Sequence, residues 1–254
     1  MTSALDGKRI LITRERKQAK YFSKVVKEKG GIPVEVPLLK ITVVDQKENL
    51  ELLRNRRNYE WIFFTSANGV HYYFQLLNKY GIDTASFDKK KIAAVGHKTE
   101  NALKEYHYDA DFIPTIYDAE TMAKEFFQLE QTEGPVLIVR GSRSRDVLPR
   151  FFTDHNIPFD MVTVYQTIYN DESEERLNDV LQKNAVDYIS FTSPSTVEAF
   201  VKMADFIPDK LCVCIGTTTE NRAKELGFHK LLTPKQFTVD AMVDVLADYI
   251  AKEG

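Results

Sequence analysis

Several motifs that mark common classes of enzyme are missing from this sequence. No GxGxxG follows a predicted strand, and the chain has no GxxxxGK[ST], HExxH or GxSxG motif. The histidines show no spacing typical of metal ligands, so dinucleotide, metal and serine-hydrolase chemistry are disfavoured and no metal site is predicted. These histidines are His71, His97, His107, His155 and His229.

Net charge, cysteine and long apolar runs are also scarce. A formal net charge of −3 and an isoelectric point of about 6.0 argue against a general nucleic-acid binder. The two cysteines, Cys212 and Cys214, are predicted to be reduced and to share one face of a buried strand. No run approaches the roughly 18 apolar residues of a membrane span, and no signal peptide is recognised, so the cytoplasm is the expected compartment.

Two stretches of the chain repeat each other. EWIFFTSANGVHYYF (residues 60–74) and DYISFTSPSTVEAF (residues 187–200) each carry β-favouring apolar residues that end in Phe-Thr-Ser and precede a helical segment. At similar separations Arg14 matches Arg140, Gly96 matches Gly216, and Ile-Pro recurs at residues 32–33 and 157–158. In a chain of 254 residues these matches predict a tandem duplication.

Strands and helices are predicted to alternate along the chain, which favours parallel sheets with right-handed crossovers. The expected fold is therefore α/β, with two similar domains that each contain a parallel sheet flanked by helices. Two interpretations of the domain boundary stay open. It could fall between the repeats, where residues 128–134 are a candidate linker, or two equivalent strands over residues 32–39 and 161–169 could cross between the domains.

Polar residues follow the predicted strands, and ligands of open parallel sheets bind at the carboxyl ends of strands. Helix N-termini at these ends attract carboxylates or phosphates. The hydroxyl groups could merely cap helices, but their occurrence in both repeats favours an anionic ligand, held in one cleft if the domains face each other. The candidate binding residues at these ends are Thr65, Ser66, Gly96, Thr99, Ser193, Pro194, Ser195, Gly216, Thr217 and Thr218.

Arginines cluster just after the first predicted strand of each repeat, and guanidinium groups match carboxylates well. Helix starts in solvent often carry arginine, but two equivalent clusters make Arg14 and Arg140 candidate ligands for an anion. Tyr165 is a further candidate, because its phenol could enter a cleft from a crossing strand; ordinary packing explains it equally well. The remaining arginines of the clusters are Arg16, Arg143, Arg145 and Arg150.

Short motifs in order resemble the uroporphyrinogen-III synthase family over nearly the whole chain. They are FTSANGV at 64–70, VGHKT at 95–99, VYQT at 164–167, FTSPSTVEAF at 191–200, IGTTTENRAKELG at 215–227 and TPKQFTVDAMV at 233–243. The resemblance implies two α/β domains joined by a two-strand linker. A discontinuous domain would hold residues 1–38 and 167–254, an inserted domain residues 41–163, and the linker strands residues 36–41 and 162–168.

The same resemblance implies an enzyme of porphyrin and haem biosynthesis, a cyclising hydro-lyase without a cofactor. Hydroxymethylbilane would lose water and close to uroporphyrinogen III, with ring D inverted through a spiro intermediate. Tyr165 is the implied proton donor for the leaving hydroxyl group. The implied contacts of the substrate in the cleft are Ser66, Thr99, Ser193, Ser195, Thr217 and Thr218.

The expected partners are the small-molecule substrate hydroxymethylbilane and, in a transient contact, hydroxymethylbilane synthase. No nucleic acid and no membrane are expected as partners, and the chain is expected to be a monomer. A two-domain binding protein or sensor for an anionic small molecule is the alternative function. An exposed apolar surface for a partner, or an appended output domain, would distinguish a sensor from an enzyme.

Overall fold

The computed structural model describes residues 4–83, 90–129 and 134–253. The chain divides into two compact units, one formed by Met1–Lys40 with Ile168–Gly254 and the other by Ile41–Thr167. Each unit is built on a five-stranded sheet flanked by helices, which confirms the predicted α/β class. Within the candidate linker, residues 130–133 lie outside the described residues.

Strands and helices alternate along most of the chain. In the described part of the chain, short 3-10 helices at Asn55–Asn58 and Asp171–Ser173 accompany them. In chain order the elements are β1 (Arg9–Ile12), α1 (Arg16–Glu28), β2 (Ile32–Glu35), β3 (Leu39–Val43), α2 (Lys47–Arg54), β4 (Trp61–Phe64), α3 (Ala67–Lys79), β5 (Lys91–Ala94), α4 (His97–Lys104), α5 (Ala119–Leu129), β6 (Val136–Gly141), α6 (Val147–Asp154), β7 (Phe159–Tyr169), α7 (Glu174–Gln182), β8 (Tyr188–Phe191), α8 (Pro194–Met203), β9 (Cys212–Cys214), α9 (Thr217–Glu225), β10 (Leu231–Leu232) and α10 (Val239–Glu253).

The sheet of the unit with both termini has the strand order β10-β9-β8-β1-β2, and all neighbouring strands are parallel. Apolar side chains alternate between its two faces, as a strand period of two requires. Leu11 and Phe191 pack with α7, α8 and α9 on one face, and Ile10 and Ile12 pack with α1 and α10 on the other. Helices therefore cover both faces, and this leaves the strand ends for polar residues.

The sheet of the second unit has the order β3-β7-β6-β4-β5, with parallel pairing from β7 to β5. Ile62 and Phe64 of β4 pack on one face with α3 and α4, whereas Trp61 and Phe63 pack on the other with α5 and α6. An isolated parallel bridge between Ala93 and Phe112 extends the sheet beyond β5. Every residue of β4 is buried, as expected for a central strand.

Equivalent strands of the two predicted repeats occupy equivalent places in the two sheets. The order β9-β8-β1-β2 in one sheet corresponds to β5-β4-β6-β7 in the other. Each sheet, however, takes its strands from both repeats. β1, next to β2, pairs with the later β8, and β4, next to β5, pairs with the later β6. The duplication itself stays a prediction.

The single strand predicted over residues 32–39 is wrong, because the structure has β2 and β3 with a break at residues 36–38. The N–H of Val36 still donates to the Ile12 carbonyl at 3.0 Å, which continues the ladder between β2 and β1. In a regular ladder the N–H of Leu38 would donate to the carbonyl two residues after Ile12. It donates instead to the Thr13 carbonyl, at 3.1 Å. Pro37 lies at this irregularity and has no N–H to offer. Beyond the break, β3 joins the other sheet.

The prediction for the cysteines is confirmed. Cys212 and Cys214 are free, buried and part of the same apolar cluster, whereas Val213 between them packs in the cluster on the opposite face. Burial raises the pKa of the Cys214 thiol to about 12, so it stays protonated at neutral pH. Among the described residues, the structure contains no helix with the length and apolar character that crossing a membrane requires.

Replacing Phe126 in α5 by alanine should destabilise the second unit. Phe126 is fully buried, and its ring meets Trp61 at 4.9 Å and Phe63 at 4.8 Å between centroids, both edge to face. The Phe126→Ala cavity should lower the free energy of unfolding by about 3–5 kcal/mol. The neighbouring Phe127 is 48% exposed, so Phe127→Ala is the control and should cost less than about 1 kcal/mol. Equal losses in guanidinium denaturation would contradict this account of the core.

Candidate active site

The carboxyl end of β4 carries two of the predicted site residues, Thr65 and Ser66. Thr65 donates its hydroxyl to the Val139 carbonyl at 3.1 Å, which ties the end of β4 to β6. Ser66 is the N-cap of α3, and its Oγ accepts from the Gly69 N–H at 3.0 Å. Both hydroxyl groups therefore serve the local fold, and each is half-buried at the strand end where a ligand would approach.

Tyr165 lies on β7 and is held on three sides. Its Oη is 3.0 Å from Ser66 Oγ, within hydrogen-bond distance. The ring stacks on Tyr72 with 5.7 Å between centroids and 26° between planes. It also lies directly against Gly141, where a Cβ atom would come within 2.7 Å of Tyr165 Oη. Only glycine at residue 141 leaves room for the phenol in this position, so the structure fixes the hydroxyl group beside Ser66.

The guanidinium of Arg140 is engaged within its own unit. One terminal nitrogen donates to Asp146 Oδ1 at 2.6 Å, the other donates to the Ser144 carbonyl, and the side chain is only 11% exposed. Asp146 responds to this contact, because the hydrogen bond from Arg140 lowers the pKa of its carboxyl group. Arg140 thus holds the loop that follows β6 and has little surface left for a ligand.

A cavity of about 370 Å³ lies at the carboxyl ends of β4 and β6, beside α6. Arg145, at its rim, pairs with Glu120 of α5 through contacts of 2.9 and 3.3 Å. The carboxylate of Asp118 accepts from the Thr121 N–H at 2.7 Å, and this bond lowers the pKa of Asp118. The polar or aromatic residues that line the cavity are Thr65, Tyr117, Asp118, Arg140, Arg143, Ser144 and Arg145.

Gly96 begins α4, and the ring of Tyr117 covers it. A Cβ at residue 96 would lie 2.8 Å from Tyr117 Cγ, so glycine permits the aromatic ring to approach the start of the helix. Gly96 has no side chain with which to cap the helix, and the N–H groups of His97 and Lys98 make no hydrogen bond to the described part of the chain. Thr99 is only 3% exposed, so its side chain is barely accessible to a ligand.

In the unit with both termini, Ser193 and Thr196 form a capping box at the start of α8. The Ser193 hydroxyl accepts from the Thr196 N–H at 3.2 Å and lies 3.0 Å from the Ser195 hydroxyl. Pro194 occupies the first helical position, where its fixed φ suits the helix and its missing N–H costs nothing. The predicted residues at the end of β8 therefore lie together, and all three are half-buried.

Gly216 begins α9 as Gly96 begins α4, and again an aromatic ring lies over the glycine. A Cβ at residue 216 would lie 3.2 Å from the ring of Phe237, which is 61% exposed. Thr217 and Thr218 are exposed, and among the described residues nothing accepts a hydrogen bond from their N–H groups. The start of α9 thus offers two N–H donors and two hydroxyl groups to a ligand.

Arg14 follows β1 and is half-buried. Its Nε donates to Gln18 Oε1 at 2.5 Å, and burial lowers the pKa of its guanidinium below the ordinary value. Its two terminal nitrogens make no hydrogen bond to any residue that the structure describes. Arg14 and Arg140, which are equivalent in the predicted repeat, therefore differ: Arg14 keeps donors for an anion, whereas Arg140 uses them internally.

No group of three or more His, Cys, Asp or Glu side chains in residues 4–83, 90–129 and 134–253 is placed to hold a metal ion. What the strand ends offer is a set of hydroxyl groups, helix N–H donors, arginines and one fixed phenol. Comparison with known proteins identifies the family to which this arrangement belongs. The family model described as uroporphyrinogen-III synthase HemD matches residues 20–244.

The chain belongs to the uroporphyrinogen-III synthase family. The porphyrin biosynthesis protein HemD of Ruminiclostridium josui is 33% identical over 98% of this chain, and the chain spans about half, 50%, of that protein's length. The uroporphyrinogen-III synthase of Chlorobaculum parvum is 26% identical over 95% of this chain and 98% of that protein. The uroporphyrinogen-III synthetase structure from Helicobacter pylori has a TM-score of 0.62 at 17% identity, covering 95% of this chain and 99% of that one, and it shows a shared fold.

Sequence reasoning found the strand ends of this uroporphyrinogen-III synthase family member but missed four residues that shape them: Tyr72, Gly141, Tyr117 and Phe237. A signal for the last two was available. Tyr117 comes three positions after the proline of FIP (residues 112–114), and Phe237 comes three positions after the proline of LTP (residues 232–234). These two segments match each other in the repeat, as Gly96 matches Gly216. No sequence signal links Gly141 to Tyr165, because their contact depends on the register of β6 and β7.

Gly141→Ala should destabilise the protein through Tyr165. The added Cβ would overlap the phenol ring, and overpacking of this kind costs about 1–3 kcal/mol. The loss should disappear in a Tyr165→Ala background, where the ring is absent, and should persist in a Tyr169→Ala background. A double-mutant cycle of unfolding free energies measures the coupling between residues 141 and 165. Additive losses would mean that the backbone at residue 141 moves and the ring does not.

Proposed function

We propose that this protein cyclises hydroxymethylbilane to uroporphyrinogen III, with loss of water and inversion of ring D through a spiro intermediate. The observation that carries the proposal is the family match over residues 20–244. The strand ends support it, because they offer hydrogen-bond donors for the carboxylates of an acidic tetrapyrrole. Folding a flexible chain into the right geometry is largely a matter of positioning, and positioning alone contributes several kcal/mol to a barrier.

The carboxylate side chains of the substrate find donors at the helix starts. At α4 and α9 a glycine replaces a capping side chain, so the first N–H groups remain available for an anion. At α3 and α8 a serine caps the helix and keeps one hydroxyl in reach of a ligand. We assign substrate binding to Arg14, Thr65, Ser66, Gly96, Ser193, Pro194, Ser195, Gly216, Thr217 and Thr218. Arg140 and Thr99, which the sequence also suggested, have little surface left for a ligand.

We assign Tyr165 as the proton donor for the leaving hydroxyl group. Ser66 Oγ already accepts from the Gly69 N–H and keeps its own proton, which it can donate to Tyr165 Oη. In that arrangement the phenol proton is free to point at the substrate. A proton delivered to the leaving oxygen as the C–O bond breaks lets water depart in place of hydroxide.

Separation of the porphyrin isomers tests the proposed function. Hydroxymethylbilane generated in situ is supplied to the purified protein, the porphyrinogens are oxidised, and isomers I and III are separated by chromatography. The free bilane closes unaided to isomer I, so enrichment of isomer III reports an inverting cyclase. Isomer I alone, from protein with a normal circular dichroism spectrum, would favour the alternative of a binding protein or sensor for an anionic small molecule.

Tyr165→Phe should lower kcat for isomer III by about 100-fold, the usual contribution of a general acid. The fold should persist, because the ring still packs on Tyr72 and against Gly141. Tyr169→Phe, on the same strand, is the control and should retain full activity. Turnover unchanged in Tyr165→Phe would remove this phenol from the mechanism.

The monomeric state, the cytoplasmic location and a transient contact with hydroxymethylbilane synthase stay predictions.

A further inference from the structure

The cavity beside α6 contains three arginines, and the structure assigns them different tasks. Arg140 donates to Asp146 and to the Ser144 carbonyl, and Arg145 pairs with Glu120. The side chain of Arg143 is exposed and makes no hydrogen bond or ion pair with any described residue. Arg143 is thus the cavity arginine whose donors are all available for a ligand.

The loop that carries Arg143 is fixed on both sides. The Gly141 N–H donates to Ser144 Oγ and the Ser144 N–H donates to the Gly141 carbonyl, both at 3.1 Å. Arg140 holds the loop to the end of β6, and the pair between Arg145 and Glu120 holds it to α5. A side chain on a fixed loop has less conformational freedom to lose when it binds, and this favours its use as a ligand contact.

The charges around the cavity favour an anion at Arg143. The acidic side chains nearby are already engaged: Asp146 with Arg140, Glu120 with Arg145, and Asp118 with Thr121 at the start of α5. The guanidinium of Arg143 therefore has no competing carboxylate partner in the described part of the chain. Its planar set of donors matches a carboxylate in a two-bond contact. Tyr117 adds an aromatic surface to the same cavity, which suits an apolar part of such a ligand.

We propose that this cavity is a subsite for one acetate or propionate side chain of the tetrapyrrole, with Arg143 as the residue that binds the carboxylate. Arg140, chosen from the sequence as the binding residue, is instead a positioning residue that fixes the loop. The inference rests on the proposed function and goes beyond it, because it names the contact and separates the two arginines. The proposal also predicts different effects for a substitution of Arg140 and a substitution of Arg143.

Arg143→Gln should raise KM for hydroxymethylbilane about tenfold and leave kcat nearly unchanged, because the contact forms equally in the ground state and the transition state. Raising the ionic strength should increase KM of the wild type more than that of the variant, since a charge contact is screened by salt. Arg143→Lys should recover part of the loss. Arg54→Gln, which changes an exposed arginine of α2, is the control. A KM within twofold of the wild type in Arg143→Gln would overturn the subsite.

Arg140→Gln should behave differently from Arg143→Gln. It leaves Asp146 and the Ser144 carbonyl without their partner, so the melting temperature should fall along with kcat, whereas Arg143→Gln should melt as the wild type does. If Arg143→Gln also lowers the melting temperature by the same amount, Arg143 is structural and the assignment fails.

A direct binding measurement separates failure of the subsite from failure of the proposed function. Uroporphyrin III, the oxidised product, keeps the acetate and propionate side chains and can be titrated by its fluorescence. Weaker binding in Arg143→Gln supports the subsite even if the wild type forms only isomer I, in which case the enzyme proposal alone fails. Equal binding by wild type and Arg143→Gln, with normal isomer III formation, refutes the subsite and leaves the enzyme proposal standing.

Discussion

The pairing of β1 with β8 is the constraint on which the unit with both termini depends. These strands lie next to each other at the centre of the sheet although about 177 residues separate them in sequence. Two buried hydroxyl groups join them reciprocally, Thr13 to the Ser190 carbonyl and Ser190 to the Leu11 carbonyl, each at 2.7 Å. In an apolar core such bonds are costly to lose, so they fix the register of the pair. That register therefore sets the positions of the helix starts that follow β1 and β8.

The polar groups at the strand ends of both units are of two kinds: some make hydrogen bonds within the fold, and others remain available to a ligand. Side-chain hydroxyl groups satisfy the backbone at α3 and α8, whereas the glycines at α4 and α9 leave backbone donors unsatisfied. The arginines divide in the same way, since Arg140 serves the loop and Arg14 and Arg143 keep free donors. Binding capacity therefore lies in the groups that the fold does not consume. Residue type alone does not tell which groups are available to a ligand, because the same type of residue both stabilises the fold and offers free donors.

The alternation of strand and helix was predictable because apolar runs such as residues 61–64 and 188–191 end in polar residues that cap the next helix. The break at residues 36–38 was not, because it depends on which carbonyl of β1 each N–H reaches. At the site, the candidates were identified by position, but the contact of Tyr165 with Gly141 requires the pairing of β6 and β7. Long-range pairing is what local sequence patterns do not encode.

The mixed origin of the strands has a consequence for the order of assembly during synthesis. Residues 41–167 form one uninterrupted segment, so the unit built from them can be completed while the C-terminal part of the chain has yet to be made. β1 and β2 are made before this segment, but one edge of β1 stays open until β8 follows. β1 and β2 are thus translated before the other unit but belong to the sheet that is completed after it, and β1 keeps an unpaired edge while that unit folds.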